Sequence, residues 1–174
     1  MKGYSFQGRV WVIADSDNRL IPDIDTDQIF HNAHLHITDL REMGPYSFGN
    51  LKGWAHFAQQ ARTGDMILAG GNFGSGSSRQ QAVDCFKSLG IRMIIAESFG
   101  AIYKRNAINS GFIITTFENC QEVISRGEIK NLDQIGVDLL TGQLTHPDSG
   151  RTYPISPLTR VQKDILDRGS LLKI

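Results

Sequence analysis

The chain has 174 residues and balances 18 Lys and Arg against 18 Asp and Glu, so its formal charge is zero. This balance argues against a nucleic-acid partner, which a strong basic field would indicate. No apolar run approaches the roughly 20 residues of a membrane span, and the N-terminus lacks the apolar core of a signal peptide. We therefore expect one cytoplasmic domain over residues 1–174, without a membrane partner.

The chain has two cysteines, Cys85 and Cys120. Two thiols do not make a disulfide framework, and they are too few to hold a four-thiolate iron–sulfur cluster or zinc site alone. Cys85 falls on the apolar face of a predicted helix, so we interpret it as a small buried hydrophobic residue. We expect no cofactor and no metal on this chain.

The first third of the chain predicts a strand, Gly8–Ala14, followed by polar turns. Acids at 23, 25 and 27 have the spacing of a hard-cation loop, but the glycine of an EF-hand is missing, so we favour a solvated turn. Histidines at 31, 34 and 36 would not share one helical face, so we favour a loop that lines a pocket over a zinc site. Residues 39–50 are predicted as a loop and residues 51–62 as a helix.

The centre of the chain is its most distinctive part. A short apolar strand, Met66–Ala69, precedes a loop with four glycines at 70, 71, 74 and 76. A helix follows, because apolar residues recur at helical spacing, and Gly90 is placed to end it. We expect Ser77 or Ser78 to cap the start of this helix.

The start of this helix is a candidate anion site, because free backbone N–H groups and the positive end of the helix dipole point outward there. Two hydroxyls, Ser77 and Ser78, and the guanidinium of Arg79 are at the same place. Arginine can bind a carboxylate or phosphate through two parallel hydrogen bonds. We predict a small anionic ligand; the alternative is a capped helix without a ligand.

The remaining elements alternate between strands and helices and then change character. Residues 91–96 and 112–117 are apolar strands, each followed by a helix, which predicts parallel βαβ units. The last third of the sequence predicts three short strands, at residues 136–140, 143–146 and 151–155. It also predicts a helix from Ser156 to Gly169, with proline at its first position.

One interpretation of the glycine-rich loop is a dinucleotide-binding fold. Gly74 and Gly76 match two glycines of G-x-G-x-x-G, and Glu97 follows where a ribose-binding acid would lie. Arg79, however, occupies the place of the third glycine, and too few βα units follow for a full dinucleotide domain. An NAD-binding domain stays an alternative.

The whole sequence also resembles a known family. The chain resembles the swivelling domain of the aconitase superfamily in the stretches NFGSGSSRQQA and LGIRMIIAESFGAIYKRNAINSGF. It resembles more closely the separate small subunits of 3-isopropylmalate dehydratase and homoaconitase. This chain also resembles the family's early aspartate motif, in IDTDQI, and its C-terminal hairpin and final helix, in VDLLTGQL, GRTYPISPL and ILDRGSLL. The resemblance covers nearly the whole chain and implies an α/β fold with three β/β/α layers.

The resemblance implies a hydro-lyase that removes water from a hydroxy polycarboxylic acid and adds it back, with a [4Fe–4S] cluster on a partner large subunit. It implies that Ser77 is the base, with the helix N-terminus, the loop N–H groups and Arg79 stabilising its alkoxide. Arg79 would also bind a substrate carboxylate, with Ser78 as a further donor. Asp27 would orient an arginine or a hydroxyl, and Thr26 would be a further substrate contact.

Two departures from the family pattern affect these expectations. Glutamines at 80 and 81 replace the usual Glu-His or Glu-Gln, so Arg79 should be freer for substrate but less oriented. The loop expected to contact the variable part of the substrate reads His34, Leu35, His36, Ile37, where the family often has a Tyr-Leu pair. His36 suits a carboxylate or an alkyl group according to its protonation, and Ile37 adds apolar surface.

The substrate is therefore open at the level of sequence. 3-Isopropylmalate, an intermediate of leucine biosynthesis, is the first candidate, followed by homoaconitate and a dialkylmalate such as 2,3-dimethylmalate. The chain alone should be inactive without its large subunit, and homo-oligomers of the isolated chain are left open. The alternative from another class is a carboxylate-binding module without catalytic activity.

Overall fold

The computed structural model describes residues 3–169. Its strands are β1 (Ser5–Val12), β2 (Met66–Ala69), β3 (Met93–Ala96), β4 (Ile113–Thr116), β5 (Gln134–Asp138), β6 (Gln143–His146) and β7 (Arg151–Pro154). Its α-helices are α1 (Thr26–Ile29), α2 (Phe57–Gln60), α3 (Gln81–Ser88), α4 (Ala101–Asn109), α5 (Cys120–Ser125) and α6 (Arg160–Arg168).

β1 joins a parallel and an antiparallel region of one sheet, whose order is β4-β3-β2-β1-β5-β6-β7. The end of β1 pairs parallel with β2, with Val10 opposite Met66, and β2, β3 and β4 continue in parallel. The start of β1 pairs antiparallel with β5, and β6 and β7 extend this region as hairpins. The predicted βαβ units and the predicted C-terminal hairpin are confirmed.

The parallel strands are covered on both faces, which explains their continuous apolar sequence. Trp11, Ile67 and Ile94 point to one face, where they pack with residues of α3 and α4. Their neighbours in the strands point to the other face, where they pack with apolar residues of α5, β5 and β6. The antiparallel strands thus pack against one face and most helices against the other, in agreement with the α/β class that the resemblance implied.

Two elements between β1 and β2 differ from their predicted form. The helix predicted over residues 51–62 is limited to α2, because Gly53 adopts a left-handed φ of 86° that a helix cannot continue through. The predicted loop at 39–50 contains two short 3₁₀ helices, Leu40–Glu42 and Gly44–Tyr46. Trp54 and Phe57 are nevertheless buried, as their helical pattern predicted.

The last helix begins later than predicted. Ser156 stays attached to β4, since its N–H donates to the Thr116 carbonyl and its carbonyl accepts from the Thr115 hydroxyl. α6 instead begins after Thr159, which forms a capping box with Gln162. Gly169 ends the helix in a left-handed conformation, as predicted.

Candidate active site

The glycine-rich loop leaves the end of β2 and is hydrogen-bonded to the segment that begins α1. The Gly74 N–H donates to the Ile24 carbonyl at 2.7 Å, and the Thr26 N–H donates to the Ser75 carbonyl at 2.9 Å. Gly74 has a φ of +78°, and a Cβ built there would lie 2.2 Å from Cγ of Tyr103. Glycine is therefore required both by the backbone conformation and by the close approach of α4.

The two serines do not cap α3, so that prediction is wrong. The residue before the helix is Gln80, which has right-handed dihedral angles and makes no side-chain cap. The Ser77 carbonyl accepts from the Thr26 hydroxyl at 3.0 Å, and the Ser78 hydroxyl accepts from Asn106 Nδ2 at 3.1 Å. These contacts between distant segments hold the serines away from the capping position.

The start of α3 is open to a ligand. Within residues 3–169, the backbone N–H groups of residues 76–80 donate to no protein acceptor, and Ser77 Oγ makes no hydrogen bond. Ser77 and Ser78 are both exposed. A cluster of unpaired N–H groups at the positive end of a helix dipole stabilises an anion.

Arg79 is oriented by α1 and by the segment that follows it. Its Nη1 donates to Asp27 Oδ1 at 2.8 Å and to the Phe30 carbonyl at 3.2 Å. The side chain is 15% exposed, and its remaining nitrogens donate to no acceptor in the described part of the chain. One edge of the guanidinium is thus fixed, while its other N–H groups are available to a carboxylate.

Asp27 accepts several hydrogen bonds that favour its ionised form. The hydrogen bond from Arg79 is the largest cause that lowers the pKa of Asp27, and the Asn32 N–H and His31 add to it against the effect of burial. The Asn50 amide donates to Asp27 Oδ2 at 3.2 Å. Asp27 is therefore a fixed anion that pairs with the arginine of the helix start.

The glutamines at 80 and 81 do not contact Arg79. Gln80 donates to Asp84 at 3.0 Å, and Gln81 donates to the Leu35 carbonyl at 3.5 Å. The expected loss of orientation at Arg79 is thus offset by Asp27 and the Phe30 carbonyl.

The histidine loop follows α1 and lies beside Tyr46. His34 stacks on the Tyr46 ring with centroids 4.1 Å apart, and His36 Nδ1 lies 3.1 Å from the Ala33 carbonyl. His36 is exposed and lines a shallow cleft with Tyr46. Ile37 is only 8% exposed and packs in the core. The roles of His34, His36 and Ile37 as substrate contacts stay predictions, and so does that of Thr26.

Sequence reasoning missed four contributors to this site: the amides of Asn50 and Asn106, the Asn32 N–H and the Phe30 carbonyl. Two of these are backbone groups, which no side-chain pattern reveals. Asn106 lies in a stretch that carried the family resemblance, but nothing local to it indicates a contact with Ser78.

The residues considered as metal ligands are used in other ways. Within the described part of the chain, no group of three His, Cys, Asp or Glu side chains could hold a metal ion. Asp25 caps α1, Asp23 accepts from Asn72, and Asp27 pairs with Arg79. Burial raises the pKa of the Cys85 thiol to about 12 and also raises that of Cys120. Both cysteines are buried in the apolar core.

Comparison with known proteins identifies the family. Residues 45–120 match the Aconitase C-terminal domain family. The 3-isopropylmalate dehydratase small subunit of Lachnospira eligens is 38% identical over 168 residues, which cover 97% of this chain and 92% of that protein. The chain belongs to the family of 3-isopropylmalate dehydratase small subunits. The small subunit 1 of Archaeoglobus fulgidus is 37% identical over 95% of this chain and 94% of its own length.

The family also includes relatives with another name. The methanogen homoaconitase small subunit of Methanothermobacter thermautotrophicus is 34% identical over 95% of this chain and 88% of its own length. The crystal structure of 3-isopropylmalate dehydratase from Methanocaldococcus jannaschii has a TM-score of 0.82 and 31% identity, and covers 97% of this chain and 92% of that one. The resemblance seen in the sequence is confirmed, and it replaces the dinucleotide-binding interpretation.

No helix among residues 3–169 is long and apolar enough to span a membrane.

Proposed function

We propose that this chain supplies the proton-transfer half of a hydro-lyase active site, as the small subunit of a 3-isopropylmalate dehydratase. The observation that carries this proposal is the open start of α3. Ser77, Ser78 and Arg79 are adjacent there to unpaired backbone N–H groups, in a chain 38% identical to a 3-isopropylmalate dehydratase small subunit.

Substrate binding follows from the charges and donors at this site. The free N–H groups of Arg79 bind one carboxylate of the substrate, while Asp27 holds the opposite edge of the guanidinium. Ser78 Oγ already accepts a hydrogen bond from Asn106, so its own proton is available to donate to the substrate. Both contacts suit a substrate that carries a carboxylate.

Ser77 is the base of the proposed reaction. Its Oγ takes the proton from the carbon next to a carboxylate, and the C–H electron pair forms a carbon–carbon double bond as the C–O bond of the adjacent carbon breaks. The departing hydroxide takes up a proton from an acid that the large subunit would supply, and leaves as water. A serine alkoxide is too basic to exist unless fixed donors stabilise it. We propose that the unpaired N–H groups of residues 76–80 and the guanidinium of Arg79 are these donors.

The large subunit completes the site. The relatives are named as small subunits, which implies such a partner. We propose that the [4Fe–4S] cluster lies on that partner, since the two buried thiols of this chain do not suit cluster ligation. On the partner, the cluster would polarise the leaving hydroxyl as a Lewis acid.

A second substrate class is homoaconitate. One relative is named a homoaconitase small subunit, and the exposed His36 beside the cleft could bind an additional carboxylate when protonated. With His34 stacked and Ile37 buried, His36 is the group of this loop that is best placed to distinguish the two acids.

The test is a dehydration assay on the assembled enzyme. The chain is co-purified anaerobically with a candidate large subunit, the cluster is reconstituted, and water loss is followed for 3-isopropylmalate, homocitrate, citrate and 2,3-dimethylmalate. We expect activity only when both chains are present, with the highest kcat/KM for 3-isopropylmalate. A preference for homocitrate would replace the substrate assignment. No turnover of any acid by an intact complex with a full cluster would contradict the hydro-lyase itself.

A further inference from the structure

Thr26 holds two carbonyls of the glycine-rich loop. Its backbone N–H donates to the Ser75 carbonyl at 2.9 Å, and its hydroxyl donates to the Ser77 carbonyl at 3.0 Å. The residue is 3% exposed, so the hydroxyl is buried beneath the loop. This position favours an action on the loop over a direct contact with substrate.

The contact with the Ser77 carbonyl determines the direction of the next N–H group. The peptide between Ser77 and Ser78 is trans, so its C=O and N–H point in opposite directions. Because the carbonyl points to Thr26, the Ser78 N–H points away from α1. That N–H is one of the donors that find no protein acceptor among the described residues.

Other restraints on this peptide are few. The segment before it is held by Gly74 and Ser75, whose N–H groups donate to the Ile24 carbonyl. The Ser78 side chain is held by Asn106. Within residues 3–169, the Thr26 hydroxyl is the group that bonds the Ser77 backbone itself.

We propose that Thr26 is a positioning residue whose hydroxyl fixes the Ser77–Ser78 peptide, so that the Ser78 N–H faces the anion that forms during the reaction. This inference rests on the proposed function, in which Ser77 is the base. Donors stabilise a developing charge best when they are fixed before the reaction. Without the hydroxyl, the Ser77 carbonyl loses its hydrogen bond, and the direction of the Ser78 N–H is no longer fixed.

The test compares three variants in the co-purified, cluster-loaded enzyme. Thr26→Val removes the hydroxyl and keeps the branched shape; we expect kcat for 3-isopropylmalate to fall about 10²-fold while KM stays within about threefold. Thr26→Ser keeps the hydroxyl and should restore most of kcat. Thr115→Val is the matched control, because Thr115 is 6% exposed and its hydroxyl donates to the Ser156 carbonyl at 2.6 Å. Its kcat should equal that of the wild type.

A second measurement does not depend on activity. The amide resonance of Ser78 in the isolated, ¹⁵N-labelled chain should shift or broaden in Thr26→Val and stay unchanged in Thr115→Val. This readout also applies if Thr26→Val assembles poorly with the large subunit.

The outcomes separate this inference from the proposed function. A wild-type kcat in Thr26→Val, or an unmoved Ser78 amide resonance, would overturn this inference. An active wild-type enzyme would still support the proposed hydro-lyase function in that case. A raised KM with unchanged kcat would make Thr26 a substrate contact and would equally overturn the inference. An inactive wild-type pair would overturn the proposed function first, and the inference with it.

Discussion

The starts of α3 and α6 are built in opposite ways. At α6, Thr159 Oγ1 accepts from the Gln162 N–H at 3.2 Å, and the Gln162 side chain accepts from the Thr159 N–H at 3.0 Å. At α3 no side chain caps the helix, and the preceding N–H groups bond to no protein acceptor in the described part of the chain. The capped start stabilises the fold, whereas the open start leaves its donors for a ligand.

The difference also lies in how each start is held. The capping box of α6 joins residues three positions apart, so it is a local structure. The start of α3 is held by α1, through Thr26 and Asp27, and by α4, through Tyr103 and Asn106. An uncapped helix start costs about 0.5–2 kcal/mol relative to a capped one. The contacts from α1 and α4 offset this cost and position the open donors.

The largest expected effect comes from disturbing the approach of α4 to the loop. Gly74→Ala would place a Cβ 2.2 Å from the Tyr103 ring at a φ of +78°. Left-handed strain and overpacking together should lower the free energy of unfolding by about 4 kcal/mol. Gly127→Ala is the control, since its φ is +68° but nothing lies within 4 Å of its Cβ. Urea unfolding should show that Gly127→Ala loses about 1 kcal/mol in the free energy of unfolding. Equal losses in the two variants would mean that the close approach of Tyr103 to Gly74 does not affect stability.

The next effect tests the proposed binding of substrate at the open start. Arg79→Lys keeps the charge but cannot bond Asp27 and a carboxylate from two edges at once. We expect kcat/KM of the assembled enzyme to fall about 10²-fold. Arg126→Lys is matched, because Arg126 is an exposed arginine that pairs with Glu122 away from the site. Steady-state kinetics with 3-isopropylmalate measures kcat/KM of both variants. An unchanged kcat/KM in Arg79→Lys would show that Arg79 does not bind the substrate carboxylate.

At the capped start, the expected effect is on stability alone. Thr159→Ala removes the cap of α6 and should lower the free energy of unfolding by about 1 kcal/mol. Because α6 contributes no residue to the site, kcat should equal that of the wild type. Thermal unfolding and kinetics on the same preparation measure the two effects, and a fall in kcat would show that the two helix starts are coupled.

The smallest effect is the pH dependence of the Asp27–Arg79 pair. Arg79 lowers the pKa of Asp27 below its ordinary value of 3.8, so the pair stabilises the fold above that value and is lost as the pH falls through the lowered pKa. The side chain is 35% exposed, so the contribution is about 1 kcal/mol or less. Urea unfolding of wild type and Asp27→Asn should differ by a constant amount at neutral pH and converge below about pH 4. A difference that changed near neutral pH would contradict the assignment of this pH dependence to the Asp27 carboxyl.

Much of the fold was predictable because its signals are local. β2 and β6 coincide with their predicted ranges, since apolar runs and turn residues delimit them. Gly90 ends α3 as predicted, with a φ of +76°. The helix predicted over 51–62 and the early start of α6 are wrong, because Gly53 and the contacts of Ser156 override a helical pattern that looks continuous in sequence.

The arrangement of the candidate site was predictable only in part. Ser77, Ser78 and Arg79 are adjacent in sequence and follow a glycine-rich loop, so a local pattern indicated them. Asp27 is far from them along the chain, and the family resemblance alone connected it to the site. Asn106 bonds Ser78 only because α4 packs on the loop. Such contacts depend on tertiary packing, which spacing along a sequence does not encode.

We propose that Ser77, at the open start of α3, is the base. The most direct test is kcat of the co-purified, cluster-loaded enzyme with Ser77→Ala, beside Ser16→Ala, which alters an exposed serine in a distant turn. We expect kcat to fall about 10³-fold for Ser77→Ala, as for the loss of a general base, and to stay at the wild-type value for Ser16→Ala. A Ser77→Ala enzyme that turns over 3-isopropylmalate at the full rate would show that Ser77 is not the base.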